Sequence, residues 1–229
     1  MNINLILGSA LVAAGLATGG YSVGQGLQKL SAANRYVTVK GLAEKEVPAD
    51  LVIWPITYVE AGNDLGALYA RIEQNNKAIG TFLTANQLAD AQVSSAPPKL
   101  SDYEAEGGER RAYRYRAEVV VTVRSNKTDA VKAGIQRSGE LVKQGIVFAN
   151  YAAQPEFVFT GLNRIKPELI AEATRNARTA AEQFAQDSGS AVGGIRNANQ
   201  GLISISDRDA GTPDVKVVRV VTTLEYALR

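Results

Sequence analysis

The sequence predicts an α+β protein, a mostly antiparallel sheet with helices packed on one face, preceded by one N-terminal transmembrane helix. Three observations predict it. The first twenty-eight residues carry no charged side chain. Segments rich in Val, Ile, Tyr and Thr come in adjacent pairs joined by short turns, which favours antiparallel pairing. Between the pairs lie three segments whose apolar residues recur at helical spacing.

In the opening segment Lys29 is the first charge, and Ile3 to Val23 is mostly Leu, Ile, Val, Ala and Gly. Twenty-one helical residues span about 31 Å, close to the ~30 Å hydrocarbon core of a bilayer. Two readings stay open. A cleaved signal peptide would use Ala17-Thr18-Gly19 as its small-residue site, but no positive n-region precedes the run. A retained anchor fits the length better. Gly15 and Gly19 form one G-x-x-x-G step, and Gly20 and Gly24 another, which would let membrane helices pack closely. The division is then a segment over residues 1–28, a linker over 29–35 and one α+β domain over 36–229. Orientation is open as well. Lys29, Arg35, Lys40 and Lys45 all follow the segment, and the positive-inside rule would leave the domain in the cytoplasm.

Strands are expected at Tyr36–Ala43 and Leu51–Ala61, with Glu44 to Asp50 as the turn. Pro55 lacks an N–H, which marks an edge or a bulge at that point. Asn63 or Asp64 caps a helix carrying Leu65, Leu68, Ile72, Ile79 and Leu83. Gln92 to Glu104 reads as extended, interrupted by Pro97-Pro98. The following strand alternates: Tyr113, Tyr115, Ala117, Val119, Val121 and Val123 take one face, and Arg114, Arg116, Glu118 and Arg124 the other. A second helix runs from Thr128 to Gln144, stopped by Gly145, and Glu156–Thr160 is a strand. The third helix is expected over Lys166–Ser188, with Pro167 in its first turn and Gly189 as its stop. Leu169, Ala173, Ala177, Ala180 and Phe184 form its inner face. Strands over 196–205 and 215–228 flank a turn at Asp207 to Gly211. The order is β-β-α-β-β-α-β-α-β-β.

The missing residue types narrow the chemistry. The chain has no Cys and no His, which removes the usual zinc ligands, Cys nucleophiles and Ser-His triads. It contains no P-loop and no strand-linked G-x-G-x-x-G, so no phosphate cradle is announced. Asp207 and Asp209 beside Gly211 lack the calcium-loop spacing and read as a solvated turn. The formal net charge is +2, from 25 basic and 23 acidic side chains, too even to announce a nucleic-acid partner. The densest basic patch, Arg110, Arg111, Arg114 and Arg116, is interleaved with Tyr113 and Tyr115. Strand alternation separates the tyrosines from Arg114 and Arg116, and nearby Glu side chains neutralise it. A subunit contact or solvated sheet face through Arg114 and Arg116 is the preferred reading. No catalytic residue, cofactor or metal is expected. Trp54 is expected in the core.

Val37 to Glu44 followed by Val47-Pro48-Ala49-Asp50 resembles the opening hairpin of SIMPL-domain proteins, which include bacterial periplasmic immunogenic and oxidative-stress-defence proteins. Tyr113 to Ala117, the helix from Pro167 through Glu182, and Val217 to Tyr226 are similar to that family's later elements. The resemblance spans roughly residues 36 to 228 and implies a curved sheet, an envelope location and ring- or cage-like homo-oligomers. The family has no catalytic motif to carry over. The resulting expectation is a membrane-anchored, non-enzymatic protein at the inner membrane, its main domain in the periplasm. It would self-assemble and contribute to envelope or oxidative stress tolerance. The alternative is a periplasmic binding module that captures a peptide or small ligand.

Overall fold

The computed structural model describes residues 15–24, 35–105, 112–149 and 153–229. Residues 15–24 form an exposed helix, α1. The rest of the expected anchor, including residues 3–14, lies outside the described residues. Among the described residues no helix is long and apolar enough to cross a membrane.

The elements that follow are β1 (Tyr36–Pro48), β2 (Leu51–Gly62), α2 (Leu65–Ala85), β3 (Gln92–Ser95), β4 (Lys99–Asp102), β5 (Tyr115–Ser125), α3 (Thr128–Arg137), α4 (Gly139–Lys143), β6 (Glu156–Val158), α5 (Leu162–Asp187), β7 (Val192–Asp207) and β8 (Val215–Leu228). The fold is α+β, as expected, with two sheets instead of one. A three-stranded sheet has the order β1-β8-β7, and a five-stranded sheet has the order β3-β5-β2-β6 with β4 also on β5. The chain divides into two compact units. One comprises Met1–Lys45, Ile165–Ser204 and Arg219–Arg229; the other comprises Glu46–Arg164 and Ile205–Val218.

The split corrects the opening hairpin, because β1 and β2 belong to different sheets. Pro48-Ala49-Asp50 makes a crossing, and the backbone bonds of this stretch go to distant partners. Ala49 N–H donates to the Asp214 carbonyl at 2.8 Å and Asp50 N–H to that of Val158 at 3.0 Å. The Asp50 carboxylate accepts the Thr160 N–H at 2.7 Å.

In the larger unit β2 pairs antiparallel with β5 along its whole length, Val52 opposite Ser125 and Gly62 opposite Tyr115. Tyr113 lies before β5 and is exposed, and Tyr115 is half-buried. The β5 alternation holds from Ala117 onward: Ala117, Val119, Val121 and Val123 are buried. They meet Val52, Trp54, Ile56 and Tyr58 of β2 and Leu68, Ile72, Ile79, Phe82 and Leu83 of α2 in one core. Trp54 stands edge-on to Phe82, with ring centroids 6.5 Å apart. The α2 cap is Asp64, whose carboxylate accepts the Ala67 N–H at 2.7 Å. Tyr58, fully buried, donates its hydroxyl proton toward Asn76 Oδ1 at 2.9 Å, with the Ile72 carbonyl at 3.2 Å, which pins α2 to the sheet. Burial, and secondarily the Glu60 charge, pushes the phenol well above the ordinary tyrosine range.

Pro55 sits inside the sheet in register with Thr122, yet its missing N–H costs no ladder bond. Thr57 and Val59 turn their backbone groups away from β5, toward Ala149 and Val147. By the period of two, Pro55 faces the same side. There β6 pairs only with Leu51–Ile53 and the next bridge is Tyr58 to Phe148. The proline therefore occupies a local gap in an otherwise internal strand. The extended stretch over 92–104 is two short strands broken at Pro97-Pro98, and the second helix is broken at Ser138–Gly139.

In the other unit α5 lies on β1 and β8. Val39, Ala177, Ala181, Leu224 and Tyr226 form its core. A Cβ on Gly41 would clash with the Ala173 carbonyl and stand 2.6 Å from the Ala177 nitrogen, so helix and strand backbones are nearly in contact. The Asn176 amide donates to the Leu42 carbonyl at 2.7 Å and Lys45 pairs with Glu168 at 2.8 Å, holding the same junction. Two expectations for α5 are corrected. It begins at Leu162, so Pro167 lies inside it. Its buried row is Ile165, Leu169, Ala173, Ala177, Ala181 and Ala185, while Phe184 is exposed. Steps of four wind around a helix by about 40° each, which suits a helix lying on a twisted sheet.

Candidate functional site

Gly15, Gly19, Gly20 and Gly24 all lie on α1, exposed, with no other part of the described chain within 4 Å of a Cβ placed on them. The two glycine steps thus stand on open helix surface.

Arg114 is brought to acids of its own chain. The β4–β5 register sets Asp102 opposite Tyr115, and the Tyr103 N–H donates to the Arg114 carbonyl at 2.9 Å. The guanidinium grips Asp102 as a fork, Nε to Oδ1 at 3.1 Å and Nη2 to Oδ2 at 2.9 Å. Its Nη1 reaches Glu104 at 3.0 Å, and Cζ lies 4.9 Å from the Tyr115 ring centroid. The hydrogen bond from Arg114, ahead of its charge, holds the Asp102 carboxyl below the usual range. Arg116 stands in register with Ser101, half-buried. Arg110 and Arg111 lie outside the described residues; within the described part of the patch, Arg114 is neutralised by two carboxylates.

The three-stranded sheet has two unlike edges. β1 carries Lys40, Glu44, Lys45, Glu46 and Pro48, the charges and proline with which natural edges discourage pairing. β7 is the opposite edge and has no such protection over most of its length. Between Arg196 and Asp207 its ten residues contain no charge and no proline. Nearly all are exposed, Leu202 at 86%. This edge was readable as an uncharged run, but only the strand order reveals it as an edge.

A cleft of about 490 Å³ lies within the larger unit, between α3, β6 and the turn joining β7 to β8. Ile135, Phe157, Pro155 and Pro213 make its apolar wall, and Lys132, Gln136, Gln154 and Asp207 its polar wall. Lys132 Nζ donates to Asp214 Oδ2 at 2.6 Å, and that bond lowers the Asp214 pKa. Lys216, buried, is paired with Asp207. In the turn itself Asp209 accepts the Gly211 N–H at 2.8 Å and the Thr212 hydroxyl at 2.6 Å. Sequence reasoning missed the cleft because its lining comes from three separate stretches that carry no shared motif.

No curated protein matches the chain. The family model SIMPL, described as a protein of unknown function (DUF541), matches residues 37–222. That span runs from the start of β1 into β8 and takes in both sheets and α2 through α5. The chain belongs to the SIMPL family.

Proposed function

We propose that this SIMPL protein is a non-enzymatic, self-assembling component of the cell envelope, tethered at the inner membrane by its N-terminal segment with the main domain in the periplasm. The observation that carries the reading is the unprotected β7 edge. A long strand with open N–H and C=O groups and no repelling charge favours pairing with another chain. The uncharged run over residues 1–28 supports the tether, since its length suits a bilayer. Confinement to a membrane would raise the effective concentration of the domains and favour assembly. The resemblance to envelope proteins of this family supports a part in envelope or oxidative stress tolerance.

The native chain has no cysteine, so single cysteines report contacts between copies without background. Asn199→Cys and Leu202→Cys place thiols on β7, and Lys40→Cys serves as the control on β1. Mild oxidation in membranes should give a disulfide-linked dimer from the β7 variants and none from Lys40→Cys. Absence of cross-linking at every β7 position would remove this edge as the assembly surface. The second reading, a module that captures a peptide or small ligand, is favoured by the cleft beside α3.

A further inference from the structure

We propose that the cleft between α3, β6 and the β7–β8 turn binds a neutral ligand with an apolar body and a peptide-like amide, such as an internal segment of an apolar peptide. The site is separate from the β7 edge and does not depend on assembly.

Size and wall composition point to a ligand site. Small-molecule pockets occupy roughly 300–1,000 Å³ and combine a mostly apolar lining with a few placed polar groups. At about 490 Å³, with Phe157 and Ile135 as its apolar body, this cleft has both properties. Phe157 is anchored in the core of the larger unit, so the wall is firm.

The charges select against a charged ligand. Lys132 is closed by Asp214, and Asp207 by Lys216. Each cation already has its anion, so a ligand carboxylate or ammonium would have to compete with an ion pair or enter without a partner. The remaining polar groups are of another kind. Gln136 stands one turn after Lys132 on α3, and Gln154 faces the cleft from the segment before β6. Neither side chain has a hydrogen-bond partner among the described residues. A carboxamide presents one acceptor and two donors, the complement of a peptide group. Two of them beside an aromatic wall match an amide flanked by an apolar side chain.

The test uses the full-length protein in lipid nanodiscs and N-acetyl-L-phenylalaninamide as the probe, titrated by saturation-transfer NMR. Saturable binding is expected with a dissociation constant of about 1 mM or tighter. N-acetyl-L-phenylalanine, which differs by its carboxylate, should bind roughly tenfold more weakly, the effect of about 1.4 kcal/mol. Ala210→Trp, at an exposed turn position, should fill the cleft and abolish binding with the melting temperature retained. Gln136→Ala with Gln154→Ala should weaken it about fivefold or more, in keeping with lost hydrogen bonds, and tests the same claim should the tryptophan variant fold poorly. No saturation with the neutral probe would overturn the proposal. So would equal or tighter binding of the carboxylate, or unchanged affinity in both variants.

Discussion

Thr222 lies on the inward face of β8 between Val220 and Leu224, 4% exposed, and its hydroxyl is the buried side-chain group left without a partner among the described residues. An unpaired buried hydroxyl costs about 1–3 kcal/mol, whereas an apolar group of the same shape does not carry that penalty. Thr222→Val should therefore raise stability by about 1 kcal/mol, read as a higher urea midpoint at unchanged slope. A drop would mean that the hydroxyl has a partner in solution. The surface carboxylates act in the opposite sense and depend on pH. Hydrogen bonds from Lys127, Arg114 and Lys132 lower the pKa values of Asp90, Asp102 and Asp214, and those from Thr212 and then Arg208 lower that of Asp209. A depressed folded-state pKa contributes stability above the unfolded value, near 3.9 for aspartate, and loses it as pH falls through the folded values. Stability should thus be flat with respect to these groups above pH ~5 and fall below pH ~4. Asp214→Asn should reduce stability at neutral pH and shrink the acid-induced loss, measured by urea titration at a series of pH values. An unchanged acid profile in that variant would show that the Lys132 pair contributes nothing.

Docking of α5 on β1 rests on the near-contact at Gly41. Gly41→Ala has no room, because the atoms in the way are backbone, and relief requires lifting the helix. The expected cost is about 3 kcal/mol or more, at the upper end of overpacking effects, seen as a large fall in melting temperature. A fall of less than about 1 kcal/mol would show that the helix shifts freely. Much of this element was legible: Leu169, Ala173 and Ala177 are small or apolar at helical spacing, and Gly189, with φ of 65°, stops the helix as read. The row beyond Ala177 was not, since Ala180 and Phe184 also satisfy helical spacing and only the twist of the sheet chooses Ala181 and Ala185. Strand β5 was legible from Tyr115 onward because a half-buried strand writes its two faces into alternate residues, while Tyr113, which continues the same alternation, lies outside the strand and is exposed. The pairing of β1 was not. A short Pro-containing connection looks the same in sequence whether the chain reverses or crosses to another sheet, and the distant partners Asp214 and Val158 decide it. The same holds at the candidate sites. Arg114 and its neutralising Glu104 could be read along the chain, whereas Lys132 and Asp214 stand eighty-two residues apart.

For the whole molecule, the two proposed contributions to assembly separate experimentally. The tether predicts that membrane-extracted protein retains Met1 or Asn2 by intact mass, where a start near Gly20 would show cleavage instead. Protease added after permeabilising the outer membrane should clip the main domain, and protection until the inner membrane is lysed would put it in the cytoplasm. The edge contribution predicts that a fragment from Tyr36 onward still associates, less completely than the full chain. Charges on β7 should disrupt it without unfolding, because Asn199 and Leu202 are exposed and exposed substitutions usually change stability by less than about 0.5 kcal/mol. The central claim, assembly through β7, is tested most directly by the mass of the detergent-extracted native particle for the unmodified chain and for Asn199→Lys with Leu202→Lys, measured by multi-angle light scattering at micromolar concentration. The account predicts a large homo-oligomer for the former and a much smaller species, with an unchanged circular dichroism spectrum, for the latter. A monomeric unmodified chain, or a charged variant that assembles to the same mass, would contradict it.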